Sequence, residues 1–203
     1  FVSSRLREAK ELHIISRFIK NGGIFLDIGA NIGYYSLMAA KLGAEKVIGI
    51  EPNPIVLNRF RENIKFNELD KKIKTFQIGL GGKKDTMDLH LSHEDMGSSS
   101  ILNNNLNSEK IKIKIIPLLR LLKEENIKKV DVLKIDVEGY EDRVLFPYFE
   151  GLERKFYPRL ILMEDSSQKD WEKNILEWLL ASGYNILART KGNILITTEK
   201  YQD

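Results

Sequence analysis

Ile24-Phe25-Leu26-Asp27-Ile28-Gly29-Ala30-Asn31-Ile32-Gly33, followed by Lys46-Val47-Ile48-Gly49-Ile50-Glu51, is the stretch around which the rest of the chain arranges itself. An apolar run ends in Asp27, a turn carries Gly29, Asn31 and Gly33, a helical stretch follows, and a second apolar run closes on Glu51. The order is strand, glycine-bearing turn, helix, acid-ended strand. Glycine in such a turn lets the backbone approach a ligand that a Cβ would exclude, and the helix N-terminus offers unpaired N–H groups to an anion. An acid at the tip of the second strand suits both hydroxyls of a ribose. The stretch reads as a nucleoside-cofactor site.

Asp27 decides between cofactors. The turn runs D-x-G-x-N-x-G rather than G-x-G-x-x-G, and an acid at the end of the first strand faces a pyrophosphate unfavourably, which argues against a nicotinamide-dependent oxidoreductase. The same acid suits a ligand with an ammonium group. S-adenosyl-L-methionine carries an amino-acid moiety and a sulfonium, so Asp27 near the methionyl portion and Glu51 on the ribose give complementary electrostatics.

Outward from this core, residues 3–20 read as a flanking helix, with Leu12, Ile15 and Ile19 on one stripe and Asn21-Gly22-Gly23 as its stop. Pro54 opens a helix striped by Val56, Leu57, Phe60 and Ile64, and residues 73–78 form a third strand near a sheet edge. Residues 82–116 interrupt the alternation. Met87, Leu89 and Leu91, and later Ile111, Ile113 and Ile115, alternate with polar neighbours as in an inserted antiparallel strand pair, with a polar flap between them. A short helix spans 117–125 and a near-continuous apolar strand 130–136, with Val137-Glu138-Gly139 turning into a helix that ends near Pro147. A strand over 160–163, a helix over about 169–182 carrying Trp171, and a terminal hairpin turned at Lys191-Gly192-Asn193 complete the chain. The expectation is a single α/β domain over 1–203, with a mainly parallel seven-stranded sheet and helices on both faces. In such a sheet the ligand sits beyond the strands' carboxyl ends, where Asp27, Glu51, Gly79, Asp136 and Glu164 all fall.

Phe25-Leu26-Asp27-Ile28-Gly29-Ala30-Asn31-Ile32-Gly33-Tyr34-Tyr35-Ser36, Ile50-Glu51-Pro52-Asn53-Pro54, Gly97-Ser98-Ser99 and above all Leu133-Lys134-Ile135-Asp136-Val137-Glu138-Gly139-Tyr140-Glu141 resemble the FkbM-type methyltransferase family. The resemblance covers roughly residues 22–165. It implies a class I Rossmann-like methyltransferase fold, S-adenosyl-L-methionine as cofactor, and O-methylation of a hydroxyl on a sugar, glycan or other natural product. It further implies that Asp27, Gly29, Asn31 and Gly33 line the cofactor turn, that Glu51 holds the ribose, and that Ile78 and Gly79 lie against the adenine. Ala30 within the turn, Asn53 after the ribose acid and Asp136 belong with these cofactor contacts.

Asp136 at a strand tip can reach the methyl donor or an acceptor hydroxyl, and Glu138 either joins it or caps the next helix. Glu164 and Asp165 end the neighbouring strand. With Asp136 they form a carboxylate set that invites magnesium, although the preferred reading gives them ordinary capping and hydrogen-bonding roles and assigns no metal. Among the histidines, His13 is a surface position, while His90 and His93 lie at the flap, where an imidazole suits a general base. Asp136, Glu138, His93 and Glu164 are the catalytic candidates. A non-catalytic module that only senses the cofactor is the competing function.

Composition narrows the partners. Hydrophobic residues at 42% and charged residues at 30% fit a soluble globular chain, and 32 basic against 29 acidic residues leave a net charge of +3, too little to argue for nucleic acid. The Lys110, Lys112, Lys114 alternation reads as a solvated strand face. No Asn/Asp-Pro-Pro-aromatic stretch is present, which counts against N-methylation of a base. Cysteine is absent, which removes disulfides and thiolate-bound zinc. No apolar run approaches the roughly 20 residues of a membrane span. A cytoplasmic protein with a small-molecule or glycan substrate is expected, although a sequence opening on Phe1 is compatible with an upstream signal or anchor.

Overall fold

The sequence folds as strand, turn, helix and strand through residues 24–51 in the computed structural model, which describes residues 2–91, 101–102 and 109–200, with side chains from residue 8 onward. Most of the expected flap, His93 and Gly97-Ser98-Ser99 included, lies outside the described residues.

Helix α1 (Val2–Ile19) is followed by β1 (Ile24–Ile28), α2 (Tyr34–Lys41), β2 (Lys46–Ile50), α3 (Pro54–Phe66) and β3 (Ile73–Phe76). Strands β4 (Gly79–Leu80), β5 (Asp85–His90) and β6 (Lys110–Ile116) come next, then α4 (Leu118–Glu124), β7 (Val132–Ile135), α5 (Glu141–Glu150), β8 (Leu160–Glu164), α6 (Ile175–Ala181) and the hairpin β9 (Asn185–Thr190) and β10 (Asn193–Thr197). Seven strands form one sheet in the order β3-β2-β1-β7-β8-β10-β9, parallel throughout except for β10 against both of its neighbours.

Alternate residues of the central strands feed two cores. Leu26, Ile28, Ile48 and Ile135 face α4, α5 and α6. Phe25, Val47 and Val132 face the opposite way, onto Ile15 and Ile19 of α1, Ala39 and Ala40 of α2 and Leu57, Phe60 and Ile64 of α3. Both faces of a parallel sheet are thus covered, which is why its strands are nearly continuous in apolar residues. The seven-stranded, doubly covered architecture matches the expectation, and β3 with its Lys74 is an edge strand as read.

Four local expectations need correction. The third strand stops at Phe76, and Gly79–Leu80 instead pairs with β6, so the inserted strand pair is a three-stranded sheet in the order β4-β6-β5. Gly79 permits this because a Cβ there would stand 2.5 Å from the Ile115 side chain. Pro147 lies inside α5, which continues because Tyr148 and Phe149 are buried in the core beyond it. The last helix begins only at Ile175, capped by the Asn174 side chain on the Glu177 amide at 3.0 Å, so neither Asp165 nor Ser166 caps it. Trp171 lies before that helix and is held by a hydrogen bond to Glu141.

Candidate functional site

A cavity of about 430 Å3 opens at the carboxyl ends of β1, β2 and β7, where the strand order reverses between β1 and β7. Gly29, Ala30, Asn31, Glu51, Ile78, Gly79, Asp136 and Glu138 lie in its wall, which brings together eight residues singled out in the sequence. Leu89 and Ile101 close it from the small sheet, and Glu8 and Tyr34 reach it from the side of α1 and α2.

Glu51 ties the turn together. Its Oε2 accepts the Asn31 amide and its Oε1 the Asn53 amide, both at 2.9 Å. Burial raises its pKa against the opposing pull of those two amides and of the Lys134 charge. Each carboxylate oxygen holds one backbone donor and keeps a lone pair for a further one. The turn itself is tight: Gly29 has φ +71, and a Cβ there would fall 1.8 Å from the Asp136 carbonyl oxygen. Asn31 takes φ 52, a left-handed conformation that asparagine tolerates.

Three of the remaining cofactor candidates lie behind the wall rather than in it. Asp27 is fully buried: its Oδ2 accepts the Ser36 hydroxyl at 2.7 Å and its Oδ1 stands 3.5 Å from the Lys134 ammonium. Gly33 precedes α2 at φ 87, where a side chain would collide with Phe60. Asn53 caps α3 through the Ile55 amide at 3.0 Å. Each shapes the turn from beneath, so direct ligand contact through their side chains is not part of this geometry.

Lys134 is the residue the sequence reading passed over. Its ammonium, buried in the cavity wall, donates to the Gly29 carbonyl at 2.7 Å and stands 3.5 Å from Asp27 and 3.7 Å from Asp136. Burial alone would lower its pKa, but the charges of Asp27 and Asp136, the contact with Asp27, and Glu51 outweigh it and hold the group protonated. The only sequence signal was a lysine in an otherwise apolar strand, an unfavourable placement unless the charge is paired.

After Asp136 the backbone turns through two left-handed residues, Glu138 at φ 54 and Gly139 at φ 91. Glu141 pins this loop, accepting the Val137 amide at 2.9 Å with one oxygen and the Trp171 indole at 2.7 Å with the other. The residue at the start of α5 is Tyr140, with no side-chain cap; Glu141 holds the loop before it and Glu138 lies in the cavity wall.

One strand over, Glu164 follows directly in register from Asp136, since Ile135 pairs with Met163. One of its oxygens accepts the Ser166 and Ser167 hydroxyls, while the other is buried without a hydrogen-bond partner. Burial, then the charges of Glu141 and Asp136, push Glu164 up to about 7. Asp165 turns away to Arg189, so the magnesium set of Asp136, Glu164 and Asp165 does not converge; among the described residues no three acidic or histidine side chains are placed to hold a metal ion. His13 is exposed, and His90 ends β5 outside the cavity wall.

Residues 27–186 match the Methyltransferase FkbM domain. The chain belongs to the FkbM methyltransferase family. Among related sequences, the ribosomal protein L11 methyltransferase of Clostridium perfringens is 26% identical over 137 residues, covering 63% of this chain and 40% of that protein. Methyltransferase sdnD of Sordaria araneosa is 27% identical over 150 residues, covering 59% of this chain and 58% of its own length. The chain thus spans roughly two- to three-fifths of these relatives. Among solved structures, the methyltransferase FkbM from Methylobacillus flagellatus superposes with a TM-score of 0.61 at 18% identity, covering 87% of this chain and 44% of that one. An rRNA methylase from Streptococcus thermophilus gives 0.56 at 10% identity with 97% of each chain covered. M. capricolum TrmK, solved with S-adenosylhomocysteine, gives 0.52 at 16% identity over 95% of this chain and 70% of that one. At these identities the likeness carries the Rossmann-like fold. Within this FkbM chain, the family match takes in the turn at Asp27, the segment around Lys134 and the strand tip at Glu164 alike.

Proposed function

We infer that the cavity binds S-adenosyl-L-methionine and that the chain, working as one domain, transfers its methyl group to a hydroxyl oxygen of a sugar, glycan or other small natural product. The carrying observation is Glu51, a buried acid at the second strand's tip that lines the cavity and whose two oxygens each hold one backbone amide and keep a lone pair for a further donor. That arrangement fits a vicinal diol such as a ribose. Ile78, Gly79 and Val56 give an apolar wall suited to an adenine, and the open space over Gly29 and Ala30 suits the methionyl part.

When bound, the cofactor supplies an electrophilic methyl group on a sulfonium. An acceptor hydroxyl taking that methyl would lose its proton to a carboxylate of the site, the electron pair of the broken bond staying with the departing thioether. Glu164 suits the role of base because its affinity for a proton sits near neutrality. Asp136 and Glu138 lie in the cavity wall and orient the acceptor, with Glu164 at the neighbouring strand tip beside Asp136, while the enclosing walls exclude water and align the reactants. Nucleic acid is not the partner in this reading: the carboxylates of Asp136, Glu138 and Glu164 would meet a phosphate backbone with like charge. No described helix is long and apolar enough to cross a membrane, and a cytoplasmic setting goes with a cofactor held in solution by the cell.

The names of the L11 and rRNA relatives favour a second reading, an amine or base nitrogen on a ribosomal acceptor. Calorimetry with S-adenosylhomocysteine tests the cofactor: wild-type binding is expected, with a loss of about tenfold or more in Glu51→Ala, and unchanged affinity in the variant would sink the assignment. Tritiated methyl donor added to fractionated glycans, small molecules, protein and RNA then separates the acceptors; label only in protein or RNA would favour the second reading.

A further inference from the structure

We propose that Lys134 sets how strongly this site prefers a cationic methyl donor over the neutral thioether left after transfer. The inference rests on S-adenosyl-L-methionine as cofactor and goes beyond it, to the residue that balances donor against product.

Three acids gather at the base of the cavity, Glu51 and Asp136 in its wall and Asp27 behind it. Asp27, Glu51 and Asp136 stand at three adjacent strand tips, and all three act on the single ammonium of Lys134. Lys134 contacts Asp27 at 3.5 Å and Asp136 at 3.7 Å and also lines the cavity, so its charge acts on the carboxylates and on any ligand at once. Lys134 lines the cavity, and at an effective dielectric of about 20 a unit charge about 10 Å from that ammonium changes affinity by roughly tenfold.

The consequence follows from where charge goes in the reaction. The donor's sulfonium loses its charge as the methyl leaves. Carboxylates left unopposed would hold the cationic ground state more tightly than a transition state in which that charge is dispersing, and binding of that kind slows the step. Lys134 offsets them. It also keeps the Gly29 carbonyl in place, at 2.7 Å, so the residue that trims the electrostatics holds the turn that surrounds the ligand.

Dissociation constants of S-adenosylmethionine and S-adenosylhomocysteine, measured by calorimetry on the same preparations, test this. Lys134→Gln is expected to raise the ratio of the homocysteine constant to the methionine constant about tenfold, and Lys134→Arg to leave it near the wild-type value. Because Lys134→Gln strands the buried Asp27 charge and loses stability on that account, the same increment is also read between Asp27→Asn and Asp27→Asn/Lys134→Gln, where the buried pair is neutral in the double variant. Equal weakening of both ligands by loss of the lysine, with the ratio unmoved, overturns the proposal and leaves only a role in holding the turn. A wild type that binds neither nucleoside overturns the cofactor assignment, and the proposal with it.

Discussion

Burial and the charges of Glu141 and Asp136 hold Glu164 near 7 against an ordinary value of 4.5, which gives its ionisation two opposite readouts. As the proposed base, it must be ionised to act, so the rate of methyl transfer is expected to rise with pH through about 7, and Glu164→Gln to lower the rate and flatten that limb. Stability runs the other way. A group whose folded value is raised favours the folded state fully below its unfolded value and loses that contribution as pH climbs through the folded value. Glu164→Gln should therefore unfold at a higher temperature than wild type above about pH 7 and at the same temperature near pH 4, a comparison that thermal melts across pH can make. Strand tips were legible in the sequence because each acid follows an apolar run, which is how Glu51, Asp136 and Glu164 were found. Lys134 and Glu141 were not, because what makes them matter is a set of partners more than a hundred residues or several elements away: Gly29 for one, Trp171 for the other.

The element most exposed to a single change is the loop from Val137 to Tyr140. Two successive left-handed residues there are held by Glu141, which accepts backbone amides on one oxygen and the Trp171 indole on the other. Glu141→Ala leaves those donors without a buried acceptor and is expected to cost about 2 to 4 kcal/mol in chemical denaturation, with Trp171 emission shifting as its N–H loses its partner. Here too lies the reason the last helix was misread. Trp171 falls at helical spacing from Ile175 and Trp178, but its indole is drawn to Glu141, and Asp142 accepts the Glu172 and Lys173 amides at 2.8 and 3.1 Å, so the chain is tied to α5 before α6 starts. Periodicity alone registers the apolar side chain and misses the tether. The long helices and central strands were legible because burial there follows a regular period over many residues.

At the scale of the molecule, α1 is joined to both ends of the fold by one buried acid. Glu11 accepts the Tyr35 hydroxyl from α2, the Thr190 hydroxyl from β9 and the Asn193 side-chain amide, the last at 3.1 Å. Glu11→Ala is expected to lower stability by about 2 to 3 kcal/mol and to release α1 first, which limited proteolysis would register as early cleavage within the first twenty residues. A sequence reading that makes α1 a flank sees its apolar stripe and not this clamp, since a glutamate on a helix is ordinarily a surface residue.

The cavity spans a seam between β1 and β7, where Phe25 lies opposite Val132 and Leu26 opposite Leu133. Those partners are more than a hundred residues apart along the chain, and long-range pairing of this kind forms slowly. A nucleoside bound here would touch both walls and so recognise the folded sheet, and its binding energy would add to the stability of that seam. Ligand present during refolding should leave the rate of collapse alone and slow the reopening of that seam, so that occupancy lengthens the lifetime of the fold as well as serving the chemistry.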